Sequence, residues 1–336
     1  MLDWHGSGMS VMEMSHRSQR FGEILEKAMD GIRSLMHLPE DRSILFLPGG
    51  ATLQFTLIPM NLMSGTRRAE YLVTGSWGEK AAKEASCYGD IAIINAAKDG
   101  KYTSVPDQDE LEFDPLADYV HYTSNETIDG VEFSYDLDAA GIPVVCDASS
   151  NILSRPFDAE KYALIYAGAQ KNIGPSGVTV VVIRNDLLDR IPNGLPPLFD
   201  YRNIQEHGSM PNTPNTWAIY MIGLVCDWLK EQGGVEAIAQ INERKAKKLY
   251  AAIDSSDGFY RGYAAPSARS RMNVTFHLND EALEERFCNE AEQAGLNGLR
   301  GHRTFGGIRA SIYNAFPEEG VDALIEFMKE FAARNG

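Results

Sequence analysis

The 336-residue sequence has no apolar run long enough to cross a bilayer, so no membrane-spanning role is expected. Its opening lacks the basic, then apolar, then small-residue order of a secretory signal, and the expected location is the cytoplasm. Basic residues are in short supply: 31 Lys and Arg against 47 Asp and Glu leave a net charge of −16, which argues against nucleic acid as a partner. The four cysteines, Cys87, Cys146, Cys226 and Cys288, are far apart and form no CxxC pair. Neither a zinc site nor a disulfide framework is suggested; reduced, buried thiols and no metal centre are expected. No GxGxxG follows a strand pattern and no GKS or GKT is present, so nucleotide-binding loops have no support.

What is present is enough apolar material, 44% of the residues, to bury a large core and build two domains. Phe21, Ile24, Leu25, Ala28, Ile32 and Leu35 recur at helical spacing, which predicts an amphipathic helix from about Ser18 to Leu38. Ser43 to Leu47 reads as a strand, and a helix through Leu53 to Leu62 follows the turn at Pro48-Gly49-Gly50. A long helix runs from Pro214 to about Gln232, where Gly233-Gly234 ends it. Beyond it come a helix from Val235 to Asp254, a half-buried alternating strand from Arg271 to His277, and amphipathic helices over 280–295 and 318–333. The expected division is a large domain over 1–232 and a smaller α+β domain over 233–336, packed closely with the site between them.

Several residues carry possible chemistry. Lys171 sits in a small-residue turn between two apolar runs, Tyr162 to Tyr166 and Val178 to Ile183. It is either an ordinary solvated lysine or a buried amine whose lost hydration lowers its pKa and makes it a nucleophile toward aldehydes. Asp147 ends the apolar run from Ile142, either as a cap for the next helix or as an acid placed at a strand end, where open α/β sheets hold their chemistry. Pyridoxal phosphate needs both: a lysine for its aldehyde and an acid beside its ring nitrogen. Gly49-Gly50 before a helix can bring backbone N–H groups to an anion. His16-Arg17, and His302-Arg303 with Arg309, are basic clusters near opposite ends of an acidic chain. Each is ordinary surface charge or half of an anion site, for which Arg is suited by its planar fork. Trp77 follows a strand, Tyr71 to Thr74, in what reads as a turn, and could equally anchor the core.

Five segments, in order, resemble the phosphoserine aminotransferases: Gly8-Met-Ser-Val-Met-Glu-Met-Ser-His-Arg17, His121-Tyr-Thr-Ser-Asn-Glu-Thr127-Ile-Asp-Gly130, the Asp147 strand, Ala167-Gly-Ala-Gln-Lys171-Asn-Ile-Gly-Pro175, and Gly301-His-Arg-Thr-Phe-Gly-Gly-Ile-Arg-Ala-Ser-Ile-Tyr-Asn314. The resemblance runs almost from end to end. It implies a fold-type I pyridoxal-phosphate transferase: an α/β large domain with a mostly parallel mixed sheet flanked by helices, plus the smaller C-terminal domain. The implied reaction is transamination of 3-phosphohydroxypyruvate with glutamate to O-phosphoserine and 2-oxoglutarate, in serine biosynthesis and in bacteria often also in pyridoxine biosynthesis. A serine–glyoxylate aminotransferase or a cysteine desulfurase is the enzymatic alternative; the His-Arg clusters disfavour the first, and the absence of a candidate mobile Cys loop the second.

The resemblance also implies roles. Lys171 forms the Schiff base with the cofactor and moves protons. Asp147 keeps the ring nitrogen protonated, Trp77 stacks on the ring and Thr127 orients it. Ala51, Thr52, Gln170, Asn212 and Thr213 anchor the cofactor phosphate, the last two reaching the partner subunit's site in a homodimer with shared sites. Some family members have Arg where Thr52 stands. His16, Arg17, His302, Arg303 and Arg309 bind the substrate's anionic groups, with His302 and Arg303 expected from the other subunit. The chain opens at Met1-Leu-Asp-Trp4, inside the first helix of the family pattern and about twenty residues short of it. Weakened substrate and cofactor binding, less order in the small domain, or a silent cofactor-binding subunit are the expectations attached to that opening.

Overall fold

The computed structural model describes residues 3–303 and 306–336. Its helices are α1 (Gln19–Leu35), α2 (Gly50–Leu62), α3 (Ser76–Ala85), the short α4 (Asn185–Leu188) and α5 (Tyr201–Glu206), α6 (Thr216–Glu231), α7 (Gly234–Asp254), α8 (Ala282–Gln293) and α9 (Glu318–Asn335). Its strands are β1 (Arg42–Leu47), β2 (Arg68–Val73), β3 (Asp90–Asn95), β4 (Tyr119–Thr123), β5 (Asn125–Glu126), β6 (Val131–Glu132), β7 (Val144–Asp147), β8 (Leu164–Gly168), β9 (Thr179–Arg184), β10 (Tyr260–Gly262), β11 (Asn273–Leu278) and β12 (Ile308–Ser311).

Seven strands form one sheet in the order β1-β9-β8-β7-β4-β2-β3. All run parallel except β9, which is antiparallel to both neighbours. β4, β7, β8 and β9 are almost wholly buried because helices cover both faces of the sheet. α1 and α6 pack on one face through Phe21, Ile24, Ala28, Ile32, Ile219, Ile222 and Cys226, and α2 and α3 on the other through Phe55, Ile58, Ala81 and Ala82. Parallel strands end together, so the C-terminal ends of β1, β2, β4, β7 and β8 share one edge. The turns that leave that edge carry Gly49, Gly75, Asn125 to Thr127, Asp147 and Lys171.

A second, three-stranded antiparallel sheet, β10-β11-β12, has its own core with α7, α8 and α9, built around Phe276, Phe287, Leu324 and Phe331. α7 joins the two units: Val235 and Ile238 belong to the first core, Ala246 to Ile253 to the second. β11 departs from the half-buried alternation expected of it, since five of its six residues are buried. Two of its polar positions face the segment after β4 rather than solvent: Asn273 bonds Asn125 at 2.9 Å and the Thr275 hydroxyl donates to the Asp129 carbonyl at 2.8 Å. The chain opening also differs from expectation, because residues 4–18 form turns and bends and helix starts only at Gln19. There Trp4 packs against Tyr220 with ring centroids 5.7 Å apart. Cys146, Cys226 and Cys288 are buried as expected, whereas Cys87 is exposed.

Candidate active site

Lys171 leaves the sheet edge just after β8, and its Nζ donates to the Thr127 hydroxyl at 2.7 Å. Burial holds this amine below the ordinary lysine value, with the Arg309 guanidinium adding to the effect; Asp147 and Glu126 pull the other way. The Trp77 ring centroid is 5.5 Å from the same Nζ. Asp147 is the last residue of β7 and is buried. Burial raises its carboxyl, and the facing Lys171 charge, the Ser149 amide at 2.9 Å and the Tyr166 hydroxyl oppose that rise. Lys171, Asp147, Thr127 and Trp77 are thus brought together from four separate parts of the chain.

Trp77 lies in the first turn of α3 rather than in a turn after β2. The N-terminus of α3 is held by two acids for which the sequence predicts no role. Glu126 accepts from the amides of Trp77 at 2.9 Å and Gly78 at 2.8 Å, and Asp129 from the Ser76 amide at 3.2 Å. Acceptors at a helix N-terminus satisfy its free N–H groups and meet the positive end of its dipole. Space there is tight: a Cβ at Gly75 would lie 2.5 Å from the Glu126 side chain. Burial, then the Asp129 charge, pushes Glu126 up to about 8, and burial pushes Asp129 up to about 6. Both acids stand in the segment His121–Gly130, and the signal available in the sequence was an acid flanking a proposed cofactor ligand.

At the N-terminus of α2, Gly49 and Gly50 adopt φ of 89° and 68°, and no side chain caps the helix. A Cβ at Gly49 would meet Leu53 at 2.4 Å, so only glycine fits this turn. Ala51 and Thr52 occupy the first turn, with Thr52 exposed. Gln170 is exposed and its side chain folds over Gly168. Asn212 and Thr213, also exposed, line a small cleft with Leu47, Pro48 and Gly177.

On the small domain, Arg309 stands on β12, and its Nη1 donates to the Thr127 carbonyl at 3.4 Å. Burial, then the charges of Lys80, Arg309 and Arg303, hold the His302 imidazole below its ordinary value. Lys80, Arg309 and Arg303 thus lie close enough to His302 for their charges to be felt there. Lys80, three residues after Trp77 and carried by no sequence motif, lies 4.2 Å from the Trp77 ring centroid. Among the described residues no ion pair is formed by Lys80, Arg303 or Arg309. His16 and Arg17 close the turn before α1, Arg17 exposed and His16 partly exposed with its Nε2 buried without a partner.

The pyridoxal phosphate that the resemblance implies fits these residues. Buried polar atoms without partners, Trp77 Nε1, Thr74 Oγ1 and Thr123 Oγ1, lie where β2 and β4 end and α3 begins, as a site completed by a polar ligand requires. The uncapped N-terminus of α2 offers N–H groups to a phosphate, Asp147 an acid to a ring nitrogen, and Lys171 an amine to an aldehyde.

Sheet order, edge and residue set define the fold of the pyridoxal-phosphate aminotransferases. The chain belongs to the class-V aminotransferase family, whose model matches residues 1–324. It is 53% identical over 336 residues to the phosphoserine aminotransferase of Laribacter hongkongensis, covering all of this chain and 93% of that relative. Among solved structures it is similar to phosphoserine aminotransferase from Bacillus circulans subsp. alkalophilus, with a TM-score of 0.97, 44% identity, and 100% and 93% of the two chains covered. It is also similar to the PLP-bound phosphoserine aminotransferase of Trichomonas vaginalis, with a TM-score of 0.93, 40% identity, and 98% and 93% covered.

Proposed function

We infer that this chain is a phosphoserine aminotransferase, which moves the amino group of glutamate to 3-phosphohydroxypyruvate and yields O-phosphoserine and 2-oxoglutarate. The observation that carries the reading is the Lys171 amine, desolvated and held by one neutral hydroxyl beside a buried acid and an aromatic ring. Pyridoxal phosphate, when bound, supplies an aldehyde carbon for the amino group and a ring that stores the electron pair released at Cα.

Lys171 Nζ, deprotonated more readily than a solvated lysine, would be the nucleophile toward that aldehyde and the group that takes and returns the proton of the substrate Cα. Thr127 aims the amine. Asp147 would hold a proton at the ring nitrogen, Trp77 would cover the ring and exclude water, and the first turn of α2, with Ala51 and Thr52 and joined by Gln170, would bind the phosphate. Arg309 takes the substrate α-carboxylate, and His302, Arg303, His16 and Arg17 its other anionic end.

The Asn212-Thr213 loop, exposed beside Leu47 and Pro48 at the entry to α2, would complete the partner's phosphate site in a homodimer with shared sites. The division into domains at 232/233 and a cytoplasmic location complete the reading. The two cores support the first, with α7 shared between them, and among the described residues no helix is long and apolar enough to cross a membrane.

The test is the half-reaction. Purified protein loaded with pyridoxal phosphate absorbs in the visible, and glutamate alone should discharge that band with formation of one equivalent of 2-oxoglutarate per site. A band that glutamate leaves unchanged would contradict the proposal.

A further inference from the structure

Asp147 is supported from behind by two residues that take no part in the steps above. It and Tyr166 occupy partner positions in the parallel strands β7 and β8, so their side chains leave the sheet on the same face. On that shared face the Tyr166 hydroxyl opposes the rise that burial gives the Asp147 carboxyl. That hydroxyl also lies 2.9 Å from Nε2 of His121, two strands away on β4. His121 is buried and stacks on Tyr71 of β2, with ring centroids 4.7 Å apart and an interplanar angle of 22°.

The direction of these hydrogen bonds follows from counting protons. Burial pushes the His121 imidazole down to about 3, so the ring is neutral and carries one N–H. Its Nδ1 is buried without a partner. If the proton sat on Nδ1, that N–H would have no acceptor, and the Tyr166 proton would turn to Nε2 and away from Asp147. With the proton on Nε2, His121 donates to the Tyr166 oxygen, Tyr166 donates to Asp147, and the one unmet group is a lone pair. An unsatisfied buried donor beside an undersupplied carboxylate is the costlier arrangement.

We propose that Tyr166 and His121 are positioning residues for Asp147, forming a donor chain from His121 Nε2–H to Tyr166 and from Tyr166 O–H to the carboxylate, which keeps that carboxylate charged and aimed at the cofactor ring nitrogen. The chain has a task that Lys171 cannot perform throughout. Lys171 is the strongest stabiliser of the Asp147 charge, but burial makes its own charge easier to lose, whereas the Tyr166 donor stays. A buried carboxylate short of donors takes up a proton and no longer holds one on its partner.

This inference rests on Asp147 facing the ring nitrogen, as proposed above, and its test separates the two. Load wild type, Tyr166→Phe and His121→Phe with pyridoxal phosphate labelled with ¹⁵N in the ring, and read the ring nitrogen shift. In the cofactor-free wild type, read the ¹⁵N shifts of His121. The expected results are a protonated ring nitrogen in wild type, a shift toward the unprotonated value in Tyr166→Phe with a glutamate half-reaction about tenfold slower, and a smaller change of the same sign in His121→Phe. His121 should carry its proton on Nε2. Should Tyr166→Phe fail to fold, His121→Phe decides. A ring nitrogen in both variants as protonated as in wild type, or a His121 proton on Nδ1, overturns the donor chain and leaves the proposed function standing. An unprotonated ring nitrogen in wild type overturns the Asp147 role together with the chain.

Discussion

Desolvation lowers the amines of two lysines among the described residues, Lys245 and Lys171, and their surroundings could hardly differ more. Lys245, on α7 in the small domain, gives its Nζ to three backbone carbonyls, Ile312 at 3.0 Å, Tyr313 at 2.8 Å and Phe316 at 3.0 Å. Lys171 has one partner, the neutral hydroxyl of Thr127. An ammonium with three carbonyl acceptors has its donors used up and ties the chain after β12 to α7. An amine with one hydroxyl is desolvated yet free to leave its partner. Burial lowers both amines, Lys245 to about 8, so burial alone does not mark a reactive lysine. The number and kind of acceptors does.

That comparison can be broken at several points. The largest effect is expected from Lys171→Ala, which should abolish the glutamate half-reaction while leaving the urea midpoint near that of wild type. Lys245→Ala should do the reverse, losing about 3 kcal/mol of stability because three carbonyls lose their donor, with the half-reaction retained where the protein is folded. Measuring both variants by urea denaturation and by the glutamate-driven absorbance change gives the crossed pattern; any other pattern removes the distinction.

Arg303→Ala sharpens the picture on the substrate side. Among the described residues, Lys80, Arg303 and Arg309 near His302 form no ion pair with an acid, as expected of groups an incoming anion completes. The ratio of kcat/KM for 3-phosphohydroxypyruvate over hydroxypyruvate should fall by an amount equivalent to about 2 kcal/mol. An unchanged ratio would place the phosphate elsewhere.

The smallest effect concerns Glu126. Its carboxyl is held near 8 against an ordinary 4.5, so between those values the folded protein keeps a proton that the unfolded chain releases. The group's contribution to stability is full below about pH 4.5 and is lost as pH rises through about 8. Glu126→Gln should flatten that decline by on the order of 1 kcal/mol, read from urea midpoints at pH 5.5 and pH 9. A decline as steep as in wild type would mean that Glu126 does not titrate there.

Much of this was legible in the sequence because it is local. The periodicity of Phe21 to Leu35 gave α1, Gly49-Gly50 the entry to α2, and the apolar runs flanking Lys171 the strands β8 and β9. What was not legible depends on sheet order. Tyr166 and Asp147 are 19 positions apart and meet only because β7 and β8 are neighbours in register, and His121 reaches Tyr166 only across β7. Glu126 could not be tied to Trp77 before β4 was known to lie beside β2. Lys245 stands in a helix rich in Lys and Glu, where nothing separates the one lysine turned to carbonyls from those turned to water. β11 misled in the opposite sense, since its polar Asn273 and Thr275 are buried against Asn125 and Asp129.

The distinction between the two buried lysines is tested most directly by chemical trapping. Reduce the protein loaded with pyridoxal phosphate with borohydride, which fixes the cofactor to the amine it is joined to, digest it, and locate the added mass. The account predicts a single label on Lys171, absent when glutamate is added before reduction. A label on Lys245, on Lys80 or spread over surface lysines would contradict it.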